Sequence, residues 1–462
     1  VEMRRRIRKR EISPVDVTKR SLEAAEKSQS TLNPFFLLMP EAALAAARAA
    51  EDAIMKGHPL GLLHGIPFSA KDLIAVAGVG YASGSRAMAN NVASADAPAV
   101  ERAKAAGAVL IGKTTTSEFG CKPVGDSPLT GITRNPWNLD KTPGGSSAGA
   151  VASVAAGITP FALGTDGGGS IRIPCSFTGL AGIKGQFGRV PVWPTSATPT
   201  LAHVGPIARS VADAALLFTA IAGFDQRDPF SVAGPVPDVL GAAHASVGGL
   251  RVAYSPTLGY ARPDKSVVEV LDRAVLRLEE LGCKVDLVEH VFEKDPADLW
   301  TAEFYAGVGT RLRSIVENKR ELLDPAVAEV LEIALSQDMR GYYEKVFERY
   351  AFRETMRLFF EKYDILISPV LPVSSLNVGL DIPPHLTDRN LVSWVYYTYP
   401  FNLTGQPAAT VCAGLADDGM PVGMQIVGSS LGEYDVVRLA AAYERTQSFG
   451  YNLISELKGA AS

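Results

Sequence analysis

Cysteine and histidine are scarce in this chain, with four and six copies among 462 residues. The cysteines, Cys121, Cys175, Cys283 and Cys412, lie far apart and form no CxxC pair. That spacing speaks against a zinc site or a disulfide framework, so no metal is expected and reduced, cytoplasmic thiols are. No run reaches the ~18 uninterrupted apolar residues of a membrane span. The longest apolar stretches are rich in Ala and Gly and are interrupted by polar residues. Neither sign of charge dominates: the net charge is −4, which implies no polyanion partner and no nucleic acid. The basic stretch MRRRIRKR near the start is followed by no apolar segment, so it does not read as a signal peptide. A solvated, partly frayed terminus is expected there, on a chain that starts at Val1 rather than Met, as a trimmed one would.

What is present is a globular composition, 47% hydrophobic and 20% charged, in a chain long enough for one large α/β domain or two smaller ones. Residues 14–29 and 40–57 read as helices, the second opening on a proline and closing on a glycine. APAVERAKAAGAVLIGKT reads as a helix, a glycine stop and a short strand, and such alternation predicts a sheet covered by helices. From about residue 206 the pattern is again mixed. Helices are expected at SVADAALLFTAIAG and KSVVEVLDRAVLRLEELG, strands at GLRVAYSP, CKVDLVEH and YDILISPVLP, and mostly helix over 295–362. TYPFNLTGQPAATVCAG and PVGMQIVG read as a loop and a sheet edge, and EYDVVRLAAAYERT as a closing helix. With no internal repeat and no clear linker, one domain over 1–462 is expected, elaborated by 225–390 on the substrate side.

Residues 117–190 differ in character, being dense in Gly, Ser, Thr and Pro. Glycine-rich loops inside a large domain cost backbone entropy and are kept where backbone must approach a ligand closely. Four patterns there and nearby invite a chemical reading. Gly107-Ala-Val-Leu-Ile-Gly112-Lys113-Thr114 matches the P-loop consensus, but its variable positions look like a strand and a helix precedes rather than follows it. Nucleotide binding through Gly112-Lys113-Thr114 is thus a minor alternative. Gly145-Ser146-Ser147-Ala148-Gly149 matches GxSxG, but the proline-containing NPWNLDKTPG before it cannot be the central strand a nucleophile elbow needs. His203, His244, His290 and His385 offer no suggestive partner context. Gly167-Gly168-Gly169-Ser170 lets several backbone N–H groups converge on one point beside a hydroxyl, the geometry an oxyanion requires. Lys71 lies among Ile66, Pro67, Phe68, Leu73 and Ile74, a setting whose burial would favour the neutral amine.

Taken together these segments resemble the amidase signature family. The resemblance is carried by GIPFSAKD, SPLTGITRNPWNLDKTPGGSSAGA and ALGTDGGGSIRIPCSFTGLAGIKG, with Lys71 and Ser146 75 residues apart and Ser146 and Ser170 24 apart. Its core spans roughly 60–225, and weaker echoes continue in YDILISPVLP, FNLTGQPAATV and PVGMQIVG. The resemblance implies a single large α/β domain whose central mixed sheet is covered on both faces by helices. It implies a hydrolase of amide-type bonds needing no cofactor. Lys71 matches the family's catalytic lysine, Ser146 the serine on a cis peptide, Ser170 the acylated serine, and the amides of Gly167, Gly168, Gly169 and Ser170 the oxyanion hole. Ser147, Thr165, Asp166 and Arg172 are expected to hold these loops, with Asp166 and Arg172 pairing across the nucleophile turn. The loop reads GGSSAGA where many members have GGSSGGS, and Gly167 stands where Thr is frequent. Substrate choice lies outside the signature. The aromatic stretches WTAEFYAG, GYYEKVFERYAF and WVYYTYPF suggest a small neutral or aromatic amide, anilide, carbamate or ester, with Cys121, Tyr305 and Tyr397 as candidate pocket residues. The family also supplies the glutamine-hydrolysing subunit of a tRNA-dependent amidotransferase, which is the main alternative, and homodimers are common in it.

Overall fold

The computed structural model describes residues 1–447; the last 15 residues of the expected 1–462 domain lie outside the described part. Its strands are β1 (Phe35–Leu38), β2 (Pro67–Lys71), β3 (Val109–Thr114), β4 (Asp126–Ser127), β5 (Gly131–Ile132), β6 (Phe161–Asp166) and β7 (Ala181–Lys184). They continue as β8 (His203–Ala208), β9 (Arg251–Tyr254), β10 (Lys284–Leu287), β11 (Ile365–Pro369), β12 (Ala408–Leu415) and β13 (Pro421–Gly428). All but the β4–β5 hairpin join one mixed sheet in the order β1-β3-β2-β6-β8-β7-β12-β13-β11-β9-β10. Strand β2 runs parallel to both neighbours, β3 and β6, whereas β6 and β8 are antiparallel.

Successive strand residues face opposite sides of a sheet, and β6 displays the consequence. Phe161 and Leu163 pack in the cluster that holds the helix Val211–Ile221. Ala162 between them packs with Val151 and Val154 of the helix Ala148–Ala155. Helices therefore cover both faces, and the domain is a single α/β unit.

The helix Pro14–Leu32 starts where Ser13 Oγ accepts the amides of Val15 and Asp16 at 3.0 and 3.2 Å and ends at Asn33 in the left-handed region. Two sequence expectations need correction. The N-terminal stretch is not frayed: Glu2–Arg8 is a helix that buries Ile7 in the main core. Its one fully buried side chain was hidden among arginines. Nor is PVGMQIVG a sheet edge. Strand β13 lies between β12 and β11, every residue of it is buried, and the true edges are β1 and β10.

Candidate active site

Lys71 is the last residue of β2 and Asp166 the last of β6. Because these strands are adjacent and parallel, their carboxyl ends meet at one rim of the sheet, where loops from α/β units converge. Ser146 and Ser147 immediately precede the helix Ala148–Ala155, and Ser170 lies just before the helix Arg172–Thr178. Both helix starts are brought over that rim.

There Lys71 Nζ lies 2.7 Å from Ser146 Oγ, 2.8 Å from Thr165 Oγ1 and 3.1 Å from Ser147 Oγ. Ser146 Oγ lies 3.0 Å from Ser170 Oγ. An unbroken chain of hydrogen-bonding contacts thus runs from the amine through one hydroxyl to the next. The peptide bond Gly145–Ser146 is cis. Lys71 is fully buried, and no carboxylate among the described residues is bonded to it. Desolvation pushes its amine well below the ordinary lysine range, with Asp166 acting weakly in the opposite sense. Ser147 Oγ also donates to the Thr165 carbonyl at 3.2 Å, tying the serine loop to strand β6.

Asp166 and Arg172 form a fully buried, two-pronged ion pair with contacts of 2.9 Å. Burial alone would raise the Asp166 carboxyl, but the charge and hydrogen bonds of Arg172 outweigh it and hold the group well below the usual carboxylate range. Arg172 also donates to Thr398 O, Gln425 Oε1 and Asn402 Oδ1. The turn that carries Ser170 is therefore anchored to segments more than 200 residues away in sequence.

Between these anchors runs the glycine turn. The Gly167 carbonyl accepts the Trp300 indole N–H at 2.8 Å, and the Gly168 carbonyl accepts the Thr398 hydroxyl at 2.6 Å. A planar trans peptide points its N–H opposite its carbonyl, so these two bonds fix the orientation of the amides at Gly168 and Gly169. The Gly169 N–H donates to Asp166 Oδ1 at 2.8 Å. This removes Gly169 from the expected oxyanion set: its donor is already committed. The amides of Gly167, Gly168 and Ser170 donate to no backbone acceptor in the turn and remain as the candidate donors. A Cβ at Gly167 would sit 2.8 Å from the Phe304 ring, one at Gly168 2.7 Å from Trp300, and one at Gly169 would collide with Thr398 Oγ1. With φ +129° at Gly169 as well, three bare backbone units are a steric requirement of the turn.

Ser146, Thr165, Gly167 and Ser170 open onto a cavity of about 320 Å³. Leu73, Ile74, Phe119, Val192, Phe304 and Val308 supply much of its apolar wall. Of the expected pocket residues, Cys121, Tyr305 and Tyr397 do not line it. Tyr305 Oη donates to the Cys121 carbonyl at 3.1 Å, Tyr397 Oη donates to the Pro256 carbonyl at 2.6 Å, and all three pack in one buried cluster. Their aromatic or thiol character suited a pocket, but the rings needed a buried acceptor and found one in the core.

The P-loop alternative fails on geometry. Gly112, Lys113 and Thr114 belong to the wholly buried strand β3, and Lys113 Nζ pairs with Asp72 Oδ1 at 3.2 Å. No phosphate-cradling loop exists there. His203, unremarkable in sequence, reaches the cavity wall because β8 pairs it with Asp166. Its Nδ1 lies 2.8 Å from the Leu201 carbonyl and its Nε2 3.3 Å from Lys184 Nζ. Burial and the nearby Lys184 push the ring well below the ordinary histidine range, so it stays neutral.

Comparison with known proteins identifies the family. The family model described as Amidase matches residues 16–437. An acylamidase of Rhodococcus erythropolis is 34% identical over 453 residues, covering 96% of this chain and 94% of its own. A glutamyl-tRNA(Gln) amidotransferase subunit of Moorella thermoacetica is also 34% identical, over 471 residues, with 96% and 95% covered. Among solved structures, a bacterial aryl acylamidase of the amidase signature family superposes with a TM-score of 0.91 at 29% identity, covering 98% of this chain and 97% of that one. The peptide amidase of Stenotrophomonas maltophilia superposes with a TM-score of 0.82 at 27% identity, with 96% of each chain covered. Fold, family match and full-length relatives coincide: the chain belongs to the amidase signature family of carbon–nitrogen hydrolases.

Proposed function

We propose that this enzyme hydrolyses small acyl amides and anilides through an acyl-enzyme on Ser170, with Lys71 as base and Ser146 as the relay between them. One observation carries the reading: the contacts Lys71–Ser146–Ser170, 2.7 and 3.0 Å long, end at a cavity with a partly apolar wall. A serine hydroxyl needs a base to become a nucleophile, and a buried, neutral amine is one.

In the proposed cycle Lys71 Nζ takes the proton of Ser146 as Ser146 takes that of Ser170. Ser170 Oγ bonds to the substrate carbonyl carbon, and the free amides of the turn receive the negative oxygen. The intermediate collapses as the carbon–nitrogen bond breaks, and the proton returns through Ser146 to the departing nitrogen. The amine leaves with an ester on Ser170. Water, deprotonated by the same relay, cleaves that ester to the carboxylic acid and restores the hydroxyl.

Acyl amides and anilides are favoured by the acylamidase relatives and by the cavity's aromatic and aliphatic walls. Carbamates and esters are further members of the panel to be tried. A second reading, glutamine hydrolysis within an amidotransferase, draws on the equal 34% identity to the amidotransferase relative. The test is a panel of anilides, carbamates, esters, primary amides and glutamine given to the purified chain alone. A fluorophosphonate label maps the nucleophile. Turnover of an anilide with label on Ser170 upholds the proposal; glutamine turnover alone, or label elsewhere, overturns it. The four unpaired cysteines support a cytoplasmic enzyme. A homodimer is the expected assembly, checked by sedimentation velocity.

A further inference from the structure

The geometry points to a carboxylate-recognising subsite at Arg311, an inference that rests on the amide-hydrolase reading of the neighbouring serine. Arg311 closes the helix Ala297–Arg311, whose residues Trp300 and Phe304 flank the nucleophile turn. It borders two cavities. One is the cavity of about 320 Å³ that contains Ser170, and the other, of about 710 Å³, lies outside it. Thr195, Ser196, Ala197 and Arg311 belong to the walls of both.

The charge state of these walls is uneven. In the inner cavity the other ionised side chain is Asp166, which is fully buried and committed to Arg172, Asn402 and the Gly169 and Ile171 amides. In the outer cavity Glu303 pairs with Arg349, and Asp338 accepts the Gly341 amide at 2.7 Å as a helix cap. Arg311 alone among the charged groups lining the inner cavity has no hydrogen bond or ion pair within the described residues. Its charge is felt at Tyr81 on the inner wall, where it opposes the rise that burial and Asp72 impose on the phenol.

Arg311 is exposed to solvent, and a guanidinium with no partner among the described residues, at the border of a cavity with a partly apolar wall, has a specific chemical complement. Its planar fork matches a carboxylate through two parallel hydrogen bonds. A substrate whose carbonyl is held at Ser170 and whose apolar body fills the inner cavity would present such a group at its far end. The substrate class is therefore an acyl amide or anilide bearing a carboxylate remote from the scissile bond, which departs from the neutral substrate that composition suggested. The carboxylate belongs either to the acyl part or to the leaving amine, and the test separates the two.

N-acetyl-4-aminobenzoate carries the charge on the amine side, with 4-acetamidoacetophenone as its neutral isostere. Succinanilate carries it on the acyl side, with levulinic anilide as its isostere. In one of these pairs kcat/KM is expected to favour the charged member by about tenfold, mainly through KM, the size of a charge-assisted hydrogen bond. Arg311→Gln reduces that ratio to within about twofold, and Arg311→Lys retains part of it. The ratio within a pair is insensitive to a general loss of active protein. Ratios near one in both pairs, or a preference that survives Arg311→Gln, overturn the subsite. Calorimetric titration of the same four compounds into Ser170→Ala reads the preference without turnover. If no compound is hydrolysed by the wild type, the amide-hydrolase reading fails, while the titration still decides whether Arg311 selects the carboxylate.

Discussion

Replacing Lys71 with methionine probes the relay at its source, because the side chain is nearly isosteric yet has no proton to exchange. The native amine is fully buried and its three close partners are all hydroxyls. Nothing in that set compensates a positive charge, so the folded protein holds Lys71 neutral below its ordinary value of 10.5. Two consequences follow. Catalytically, loss of a positioned base costs roughly 10²–10⁴ in rate, or about 3–5 kcal/mol of activation free energy. The wild-type kcat/KM is expected to rise with pH as the free enzyme's amine loses its proton, and Lys71→Met to lack that limb. Thermodynamically, the unfolded chain keeps the lysine proton up to its ordinary value of 10.5, whereas the folded chain releases it at lower pH. Unfolding then takes up a proton, and stability attributable to this residue rises with pH between the depressed folded value and 10.5. It is level above that window. The slope is about 1.4 kcal/mol per pH unit. At about 2.1 cal/mol/K per residue of unfolding entropy, 462 residues give about 1 kcal/mol/K. The Tm of wild type relative to Lys71→Met should therefore climb by about 1.4 °C per pH unit between the depressed folded value and 10.5. The assay is an anilide pH–rate profile beside calorimetric melts over the same buffers. A Lys71→Met enzyme within about threefold of wild type, or a Tm difference that does not change with pH, refutes the reasoning.

Two further predictions concern the turn that carries Ser170. Asp166→Asn leaves Arg172 charged and unpaired where both side chains are fully buried, which costs about 3–5 kcal/mol. A Tm lower by about 3–5 °C is expected, and a loss under 1 °C in thermal melts would contradict the anchoring role. Trp300→Phe keeps the ring against Gly168 but deletes the N–H that holds the Gly167 carbonyl at 2.8 Å. Trp300 acts here as a positioning residue. A fall in kcat of about tenfold, with KM little changed and a parallel loss of affinity for a boronic-acid mimic of the tetrahedral intermediate, is expected. A raised KM with intact kcat would count against it.

Much of the domain was legible from local pattern. Apolar periodicity and end signals located the helices Pro14–Leu32, Pro40–Met55 and Lys265–Glu280 to within a few residues. The helix Glu2–Arg8 escaped because a single buried isoleucine among arginines has no period to detect. Strand β13 escaped as an interior strand because its glycines, Gly423 and Gly428, carry no side chain to signal burial. In the sheet a Cβ at Gly423 would lie 2.6 Å from Ser176 Oγ and one at Gly428 2.7 Å from Val436, so they are glycine because helices press on them.

The site divides along the same line. Lys71, Ser146 and Ser170 could be named from the chain alone, since each sits in a short motif whose glycines, prolines and hydroxyls are contiguous. Asp166 and Arg172 are six residues apart, and their pairing is a property of one turn. Trp300, Thr398, Asn402 and Gln425 reach that turn from 133 to 253 residues away, and no local spacing encodes such contacts. The same distance hid the bonds that orient the Gly167 and Gly168 carbonyls and sent Tyr305 and Tyr397 into the core. Sequence determines which groups can react, because chemistry belongs to side chains and their nearest neighbours. Only the folded sheet decides which backbone donors stay free, which rings face the cavity, and that Arg311 beside it has no partner among the described residues, because those are properties of what packs against them.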